Sequence, residues 1–185
     1  MKIISGKNRG TNLYSVPAKT SRPTTSYIKE IIFDVLFDCN DLLIIDLFAG
    51  SGSLGLEALS RGAKFVEFVD ASEKAIRTIY KNIEKLGYVD ETKIHKKRVS
   101  AFLKKYEGEK IDIIFMDPPY DKGLINAVIE EIINSEILSK EGQIVIEHSS
   151  KEKIKVEFTK NIFHTKKNGN TVISFMSLEE RNEDI

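Results

Sequence analysis

The residues best suited to chemistry form a rigid turn, Asp117-Pro118-Pro119-Tyr120, directly after the apolar run Ile111–Met116. This arrangement predicts a buried strand that ends at the turn, because proline cannot continue the ladder of hydrogen bonds. The turn holds the Asp117 carboxylate and the Pro118 carbonyl as two fixed acceptors at the carboxyl edge of a sheet, where open α/β sheets bind ligands. Tyr120 can lay its ring against a flat base.

Two such acceptors suit the methylation of an exocyclic amine. The nitrogen of that amine is a poor nucleophile, because its lone pair is delocalised into the ring. Acceptors that hold both of its hydrogens draw the nitrogen towards tetrahedral geometry, so that it can attack an electrophilic methyl group in line. The site mainly supplies orientation and fixed dipoles. It needs no strong base, since the proton leaves readily once the nitrogen is cationic.

A second candidate site is the glycine-rich segment Asp46-Leu47-Phe48-Ala49-Gly50-Ser51-Gly52-Ser53-Leu54-Gly55. Its three glycines match the spacing of the dinucleotide fingerprint, which lies between a strand and a helix. The run Leu42–Ile45 predicts that strand, and Leu54–Arg61 predicts that helix. Glycines at these positions let the backbone turn sharply and approach a ligand closely.

Two acids bear on the identity of the ligand. Asp46 would repel a pyrophosphate but suits a cation, such as the ammonium or sulfonium group of S-adenosylmethionine. Asp70 ends the next predicted strand, Phe65–Val69, 20 residues beyond Gly50. A carboxylate there can accept hydrogen bonds from both ribose hydroxyls. That role fits NAD and S-adenosylmethionine alike, so Asp70 does not discriminate between them.

Strands and helices alternate around these motifs. Apolar residues at helical spacing predict a helix from Ser26 to Phe37, and Ser72 and Gly87 are expected to bracket another. The remaining predicted elements are a weak strand at Lys93–His95, a helix at Leu124–Ile133, a strand at Gln143–Ile146 and a hairpin in which Asn168-Gly169 joins Ile162–His164 to Val172–Phe175. The pattern predicts an α/β fold with a doubly wound, Rossmann-like sheet, mostly parallel, that finishes in a carboxy-terminal antiparallel hairpin.

The amino terminus is expected to form a separate small hairpin, in which Lys2-Ile3-Ile4 and Asn12-Leu13-Tyr14 flank a glycine-rich turn. We therefore expect a hairpin extension at residues 1–25, a main domain at 26–178 and a polar tail at 179–185.

Charge is divided unevenly along the 185 residues, although the net charge is zero. Residues 1–30 contain six basic residues and one acidic residue, a net charge of +5, whereas the remainder carries −5. A basic segment of this kind could grip RNA phosphates, and the candidate contacts are Lys7, Arg9, Arg22 and Thr24.

Several classes of site are disfavoured by composition. Cys39 is the only cysteine, which excludes an intramolecular disulfide and a zinc site built from cysteines. The three histidines show no metal-ligand spacing, so we expect no metal site. No apolar run approaches the roughly 18 residues of a membrane span. The simplest interpretation is a cytoplasmic protein in a reducing setting, with no membrane association.

These motifs together resemble a known family. Asp46–Gly55, Asp70 and Asp117–Tyr120 are similar to the motifs of class I S-adenosylmethionine-dependent amino-methyltransferases. The opening segment, the run Arg22-Pro23-Thr24-Thr25 and the segment Leu54–Ala63 resemble the RsmD type, bacterial 16S rRNA (guanine(966)-N2)-methyltransferases. The resemblance covers nearly the whole chain and is specific in the first 63 residues.

The resemblance implies S-adenosylmethionine as cofactor and roles for individual residues. The glycine loop would hold the methionine part of the cofactor, and Asp70 would hold the ribose. Asp117 and Pro118 would grip the guanine amino group while Tyr120 stacks on the base. The cofactor-binding residues expected on this basis are Asp46, Phe48, Ala49, Gly50, Ser51, Gly52, Gly55, Asp70 and Val99. The partner would be 16S rRNA, in a small-subunit particle, and nothing requires more than a monomer.

Two departures from the family pattern affect the expected cofactor site. An Asp or Asn followed by Ala often ends strand three in the family, whereas Arg98-Val99 stands here, so the adenine contact is assigned to the Val99 backbone amide. Asp70 replaces a common Glu, which preserves the acceptor and shortens its reach.

Other functions fit parts of the pattern. An amino-methyltransferase acting on another RNA or on DNA could use the same turn, although DNA enzymes generally carry an additional recognition region. A nicotinamide-dependent oxidoreductase would use the glycine loop, but Asp46 and the Asp117–Tyr120 turn disfavour it. The remaining alternative is an RNA-binding module without catalytic activity.

Overall fold

The computed structural model describes residues 1–17, 26–36, 38–119 and 122–178. In this part of the chain seven strands form one sheet in the order β3-β2-β1-β4-β5-β7-β6. The strands are β1 (Leu43–Leu47), β2 (Phe65–Asp70), β3 (Thr92–Lys96), β4 (Ile111–Met116), β5 (Leu138–Ser149), β6 (Ile162–Asn168) and β7 (Thr171–Ser177). The first five strands are parallel, and β7 is antiparallel to both β5 and β6. The predicted fold class is confirmed.

The helices of the described residues are α1 (Ser26–Leu36), α2 (Ser53–Ser60), α3 (Glu73–Leu86), α4 (Val99–Leu103), α5 (Leu124–Ser135) and α6 (Val156–Thr159). The predicted bounds of α3 are confirmed by its caps: the Ser72 hydroxyl accepts from the Ala75 amide, and Gly87 ends the helix with φ +78°. Helices α4 and α6 were not predicted, because five and four residues are too few to show a helical period.

The helices cover both faces of the sheet. One apolar cluster joins α1, α2 and α3 to residues such as Phe68 and Phe115, and a second joins α4, α5 and α6 to residues such as Leu47 and Met116. Because side chains alternate along each strand, the central strands supply both clusters and read as continuous apolar runs. This two-sided burial holds the central strands in place. Because these strands are parallel, their carboxyl ends meet at the same edge of the sheet.

The carboxy-terminal hairpin is present with a turn one residue later than predicted. Asn168 pairs with Thr171, so Gly169 and Asn170 form the two-residue loop, and Gly169 supplies the positive φ of +59°. Strand β5 is also longer than the predicted Gln143–Ile146, since its last residues pair with β7.

The amino-terminal segment forms the expected hairpin in reduced form. A single antiparallel bridge joins Lys2 to Asn12, and the Ile3 amide donates to the Thr11 carbonyl oxygen at 2.9 Å. The turn lies against α2 so closely that a Cβ atom at Gly6 would stand 1.7 Å from the Ser60 carbonyl oxygen. The hairpin is therefore packed onto the sheet domain rather than free of it.

A buried carboxylate holds this hairpin in place. One oxygen of Glu57 accepts from the Ile4 amide at 2.9 Å and from Lys29 Nζ at 3.0 Å, and the other accepts from the Ser5 amide at 2.9 Å. Lys29 and Glu57 are both 0% exposed, and Lys29 Nζ also donates to the Lys2 carbonyl oxygen. Breaking a buried pair of this kind typically costs about 3–5 kcal/mol, so α1, α2 and the hairpin hold one arrangement.

No helix within the described ranges is long and apolar enough to cross a membrane.

Candidate active site at the carboxyl edge of the sheet

Three predicted acids meet at one edge of the sheet. Asp46 lies near the end of β1, Asp70 is the last residue of β2, and Asp117 follows the last residue of β4. Strand β1 lies between β2 and β4, and all three strands run parallel. The sheet thus brings the glycine loop and the Asp-Pro-Pro turn together at the crevice where doubly wound sheets bind ligands.

The glycine loop forms a sharp connection from β1 into α2. Gly50 and Gly52 have φ values of +57° and +77°, which side chains rarely adopt. Apart from the residues next to Gly50 in the chain, the nearest atom to a Cβ at Gly50 would be the Phe48 carbonyl oxygen, 3.9 Å away, whereas a Cβ at Gly55 would lie 2.5 Å from the Phe68 ring. Gly50 therefore leaves room beside the backbone, and Gly55 lets the helix pack on the sheet.

Asp46 lies beneath this loop and not at its surface. Its side chain accepts from the Gly55 amide at 3.0 Å, and the residue is 3% exposed. Burial raises the pKa of this carboxyl to about 8, the nearby Asp70 adds to the rise, and the hydrogen bond from Gly55 opposes it. Asp46 thus anchors the first turn of α2 and keeps a titratable carboxyl group under the glycine loop.

Asp70 joins the glycine loop to the start of α3. One carboxylate oxygen accepts from the Gly50 amide at 2.9 Å, and the other accepts from the Ser72 amide at 2.7 Å. Each oxygen keeps further acceptor capacity, because a carboxylate offers about four lone-pair sites. The partly exposed side chain could accept from ribose hydroxyls while it holds the loop.

The turn that begins at Asp117 follows β4 at the carboxyl edge of the sheet. Asp117 is partly buried, Pro118 is buried and Pro119 is exposed. Burial raises the pKa of the Asp117 carboxyl well above its usual range, and the negative charges of Glu147 and Asp46 raise it further. Tyr120 lies outside the described residues.

Val99 begins α4 with its side chain in the apolar core, where it is 5% exposed. The first amides of a helix have no partner within the helix. The adenine contact of this backbone N–H stays a prediction.

The structure describes two of the four residues predicted to contact RNA. Lys7 and Arg9 are exposed on the hairpin turn, and the Asn8 amide between them donates to Ser60 Oγ at 3.0 Å. Arg22 and Thr24 lie outside the described residues, as does the tail at 179–185.

Sequence reasoning missed Glu147. This residue is 7% exposed and stands on β5 next to Asp117. An available signal was its position directly after the apolar run Ile144–Ile146, which is where Asp70 and Asp117 stand relative to their own strands.

The sequence also gave no reason to expect a cavity of about 620 Å³ at the opposite edge, beside the starts of β1, β2 and β4. It lies at the amino ends of the strands, away from the glycine loop and the Asp-Pro-Pro turn. Among the residues that the structure describes, no three His, Cys, Asp or Glu side chains are grouped to hold a metal ion.

The geometry can be compared with known proteins. The profile of a family described as Conserved hypothetical protein 95 matches residues 1–177. The chain belongs to this family. This membership and the relatives of the Conserved hypothetical protein 95 family member confirm the RsmD-type resemblance that its motifs indicated.

Curated relatives match most of this family member. It is 36% identical over 153 residues to "Ribosomal RNA small subunit methyltransferase D" of Buchnera aphidicola, a match that covers 82% of this chain and 80% of the relative. It is 32% identical over 148 residues to the protein of that name from Escherichia coli, covering 80% and 74%. A solved structure from Escherichia coli, described as a candidate methyltransferase, superposes with a TM-score of 0.81 at 28% identity and covers 95% of this chain and 96% of its own.

Proposed function

We propose that the protein transfers a methyl group from S-adenosylmethionine to the exocyclic N2 of a guanine in 16S rRNA, the guanine numbered 966 in the family. The observation that carries this proposal is the rigid turn at Asp117 and Pro118, which follows β4 next to the glycine loop after β1. Relatives named as small-subunit rRNA methyltransferases support the choice of RNA.

The residues of the glycine loop fit S-adenosylmethionine. Gly50 leaves open space beside the backbone, and Asp70 offers a carboxylate at the edge of the sheet. The Asp46 carboxyl lies below the loop with a pKa of about 8. A cationic ligand would favour its ionised form, whereas a pyrophosphate would oppose that form. The main-chain amides and carbonyls of the 48–52 segment would hold the methionine part, and Val99 would meet the adenine. The cofactor, when bound, supplies the electrophilic methyl group.

The turn would activate the amine by orientation. The Asp117 carboxylate and the Pro118 carbonyl oxygen accept the two N2 hydrogens and point the nitrogen lone pair towards the methyl group. The new N–C bond would form as the methyl–sulfur bond of the donor breaks, which leaves a neutral thioether and a cationic nitrogen, and one proton of that nitrogen would pass to Asp117. Burial and neighbouring negative charge raise the pKa of Asp117, which makes its carboxylate a better proton acceptor.

The amino-terminal hairpin would hold the RNA. Lys7 and Arg9 are exposed on its turn, and the contacts of Glu57 fix the hairpin to the domain that carries the turn. Arg22, Thr24 and the stacking residue Tyr120 keep their assigned roles from the sequence alone. The target base must leave its stack to reach the buried acceptors. A monomer acting in the cytoplasm on a small-subunit particle is sufficient for this reaction.

A panel of methyl acceptors tests the proposal. Purified protein and labelled S-adenosylmethionine are incubated with 16S rRNA, small-subunit particles and double-stranded DNA, with Asp117→Asn as the matched variant. We expect transfer to the ribosomal substrates, and a fall of about 100-fold in kcat for Asp117→Asn with the cofactor Kd unchanged. Transfer to DNA but not to ribosomal substrates would overturn the choice of substrate. Binding of NAD in place of S-adenosylmethionine by calorimetry would overturn the choice of enzyme class.

A further inference from the structure

Glu147 lies at the carboxyl edge of the sheet and has no role in the reaction proposed above. Strands β4 and β5 run parallel, and Met116 pairs with Ile146. Asp117 and Glu147 each follow these paired residues by one position, so they are neighbours across the two strands.

Their side chains also share a face of the sheet. Met116 and Ile146 belong to the apolar cluster beneath α4, α5 and α6. Because side chains alternate along a strand, the next residues point to the other face. The negative charge of Glu147 raises the pKa of Asp117, which is consistent with carboxylates a short distance apart. Two acids thus stand side by side where the target base would enter.

The Watson–Crick edge of guanine matches this pair of acids. Guanine presents two adjacent kinds of donor there, the N1–H and the N2 amino group, whereas adenine presents a lone pair at N1. A carboxylate only accepts hydrogen bonds, so it favours N1–H and disfavours a lone pair at that position. Hydrogen bonds to a charged acceptor are among the stronger ones.

We propose that Glu147 selects guanine by accepting a hydrogen bond from N1–H, while Asp117 and Pro118 hold the N2 amino group. The inference rests on the proposed function and assigns its base specificity. Contacts of Glu147 within the fold are compatible with this role, because a carboxylate offers about four lone-pair sites. A specificity built on a hydrogen bond can be large, since an analogue that lacks the donor leaves a buried acceptor unpaired.

The test compares two bases at the target position of an RNA fragment. Guanine and 2,6-diaminopurine both carry the C2 amine, but diaminopurine has a lone pair at N1. The wild-type enzyme should favour guanine by at least about 100-fold in kcat/KM. Glu147→Gln can donate to a lone pair at N1, so it should shift the ratio at least about 10-fold towards diaminopurine. The change at C6 is the same for both enzymes and cancels in the comparison.

Glu141→Gln is the matched control, because Glu141 is an exposed residue at the other end of the same strand. This variant should keep the wild-type ratio. Glu147→Asp retains the carboxylate and should keep the preference for guanine at a lower rate.

Each outcome decides the inference. An unchanged ratio in Glu147→Gln, with both rates lowered alike, would show a structural role and overturn it. If that variant does not fold, a wild-type ratio near one would overturn it instead. Failure of the wild-type enzyme to methylate either RNA would overturn the proposed function itself, a result distinct from an unchanged ratio.

Discussion

Asn82 donates from its side-chain Nδ2 to the backbone carbonyl oxygen of Ser51 at 2.9 Å. The same side chain donates to the Tyr14 carbonyl oxygen at 3.0 Å and accepts from the Tyr14 amide at 2.7 Å. Asn82 is 0% exposed. One buried amide therefore joins the basic hairpin to the loop proposed to bind the cofactor.

Asn82→Ala should weaken the binding of both RNA and S-adenosylmethionine. The substitution leaves main-chain groups of Tyr14 and Ser51 without this partner. The typical cost is about 1–3 kcal/mol for an unsatisfied group that is buried, as the Ser51 carbonyl is. Calorimetry for the cofactor and filter binding for an rRNA fragment measure the two affinities on folded protein.

Lys85→Ala is the control for Asn82, because Lys85 is exposed and donates to the Asn12 carbonyl oxygen without contacting the glycine loop. It should leave cofactor affinity unchanged. Loss of RNA affinity alone in Asn82→Ala would contradict the link between hairpin and loop.

Asp46→Asn should make the protein more stable at alkaline pH. The pKa of Asp46 is about 8 in the folded protein, against about 3.9 in an unfolded chain. Between these values the folded state keeps a proton that the unfolded state releases, so the free energy of unfolding falls as pH rises. Asparagine cannot ionise, and its amide oxygen can still accept from the Gly55 amide.

Urea unfolding at pH 4.5 and pH 8.5 measures this difference. We expect similar stability of the two proteins at the lower pH and an advantage of at least about 1 kcal/mol for Asp46→Asn at the higher pH. At pH 8.5 cofactor affinity should fall in the same variant, because most of the Asp46 carboxyl is ionised there and asparagine cannot carry that charge. A variant less stable than wild type at pH 8.5 would contradict the assigned pKa.

Two glycines of the loop should respond differently to alanine. Gly55→Ala places a Cβ 2.5 Å from the Phe68 ring, and overpacking of this kind typically costs about 1–3 kcal/mol. Gly50→Ala meets no close neighbour, so its cost in stability is mainly that of a positive φ, about 1 kcal/mol. Its added methyl group should instead obstruct the ligand.

Thermal unfolding and cofactor titration separate the pair. We expect Gly55→Ala to lower the Tm more than Gly50→Ala does. We expect Gly50→Ala to lose more cofactor affinity for each degree by which its Tm falls. Equal cofactor affinity in wild type and Gly50→Ala would place the ligand elsewhere.

Arg9→Glu should weaken RNA binding and flatten its dependence on salt. Each lost contact to a phosphate of single-stranded RNA reduces the slope of log K against log salt by about 0.7. Lys140→Glu makes the same charge change at an exposed residue near the amino end of β5, and it should leave the slope unaltered. Identical slopes for Arg9→Glu and wild type would remove the hairpin from the RNA interface.

Local sequence patterns were enough to predict the position of the turn and of the glycine loop, because each directly follows a strand with a continuous apolar run. The run Ile111–Met116 matches β4 at both ends, and the turn and glycine loop follow from residues adjacent in sequence. The roles of Asn82 and Glu57 could not be assigned this way, since the contacts through which they join the hairpin to the helices span 28 to 68 residues. The sequence did hold one signal for Asn82, which is a polar residue on the buried side of α3 beside Ile79 and Ile83.

Mass spectrometry of nucleosides from methylated 16S rRNA tests the central claim most directly. rRNA from a strain that lacks the enzyme is methylated by the purified protein, digested and mapped. The account predicts one new N2-methylguanosine, at the guanine that the family modifies, and formation of that product about 100-fold more slowly by Asp117→Asn. A methyl group found on an adenine, on a cytosine or at another position of guanine would contradict it.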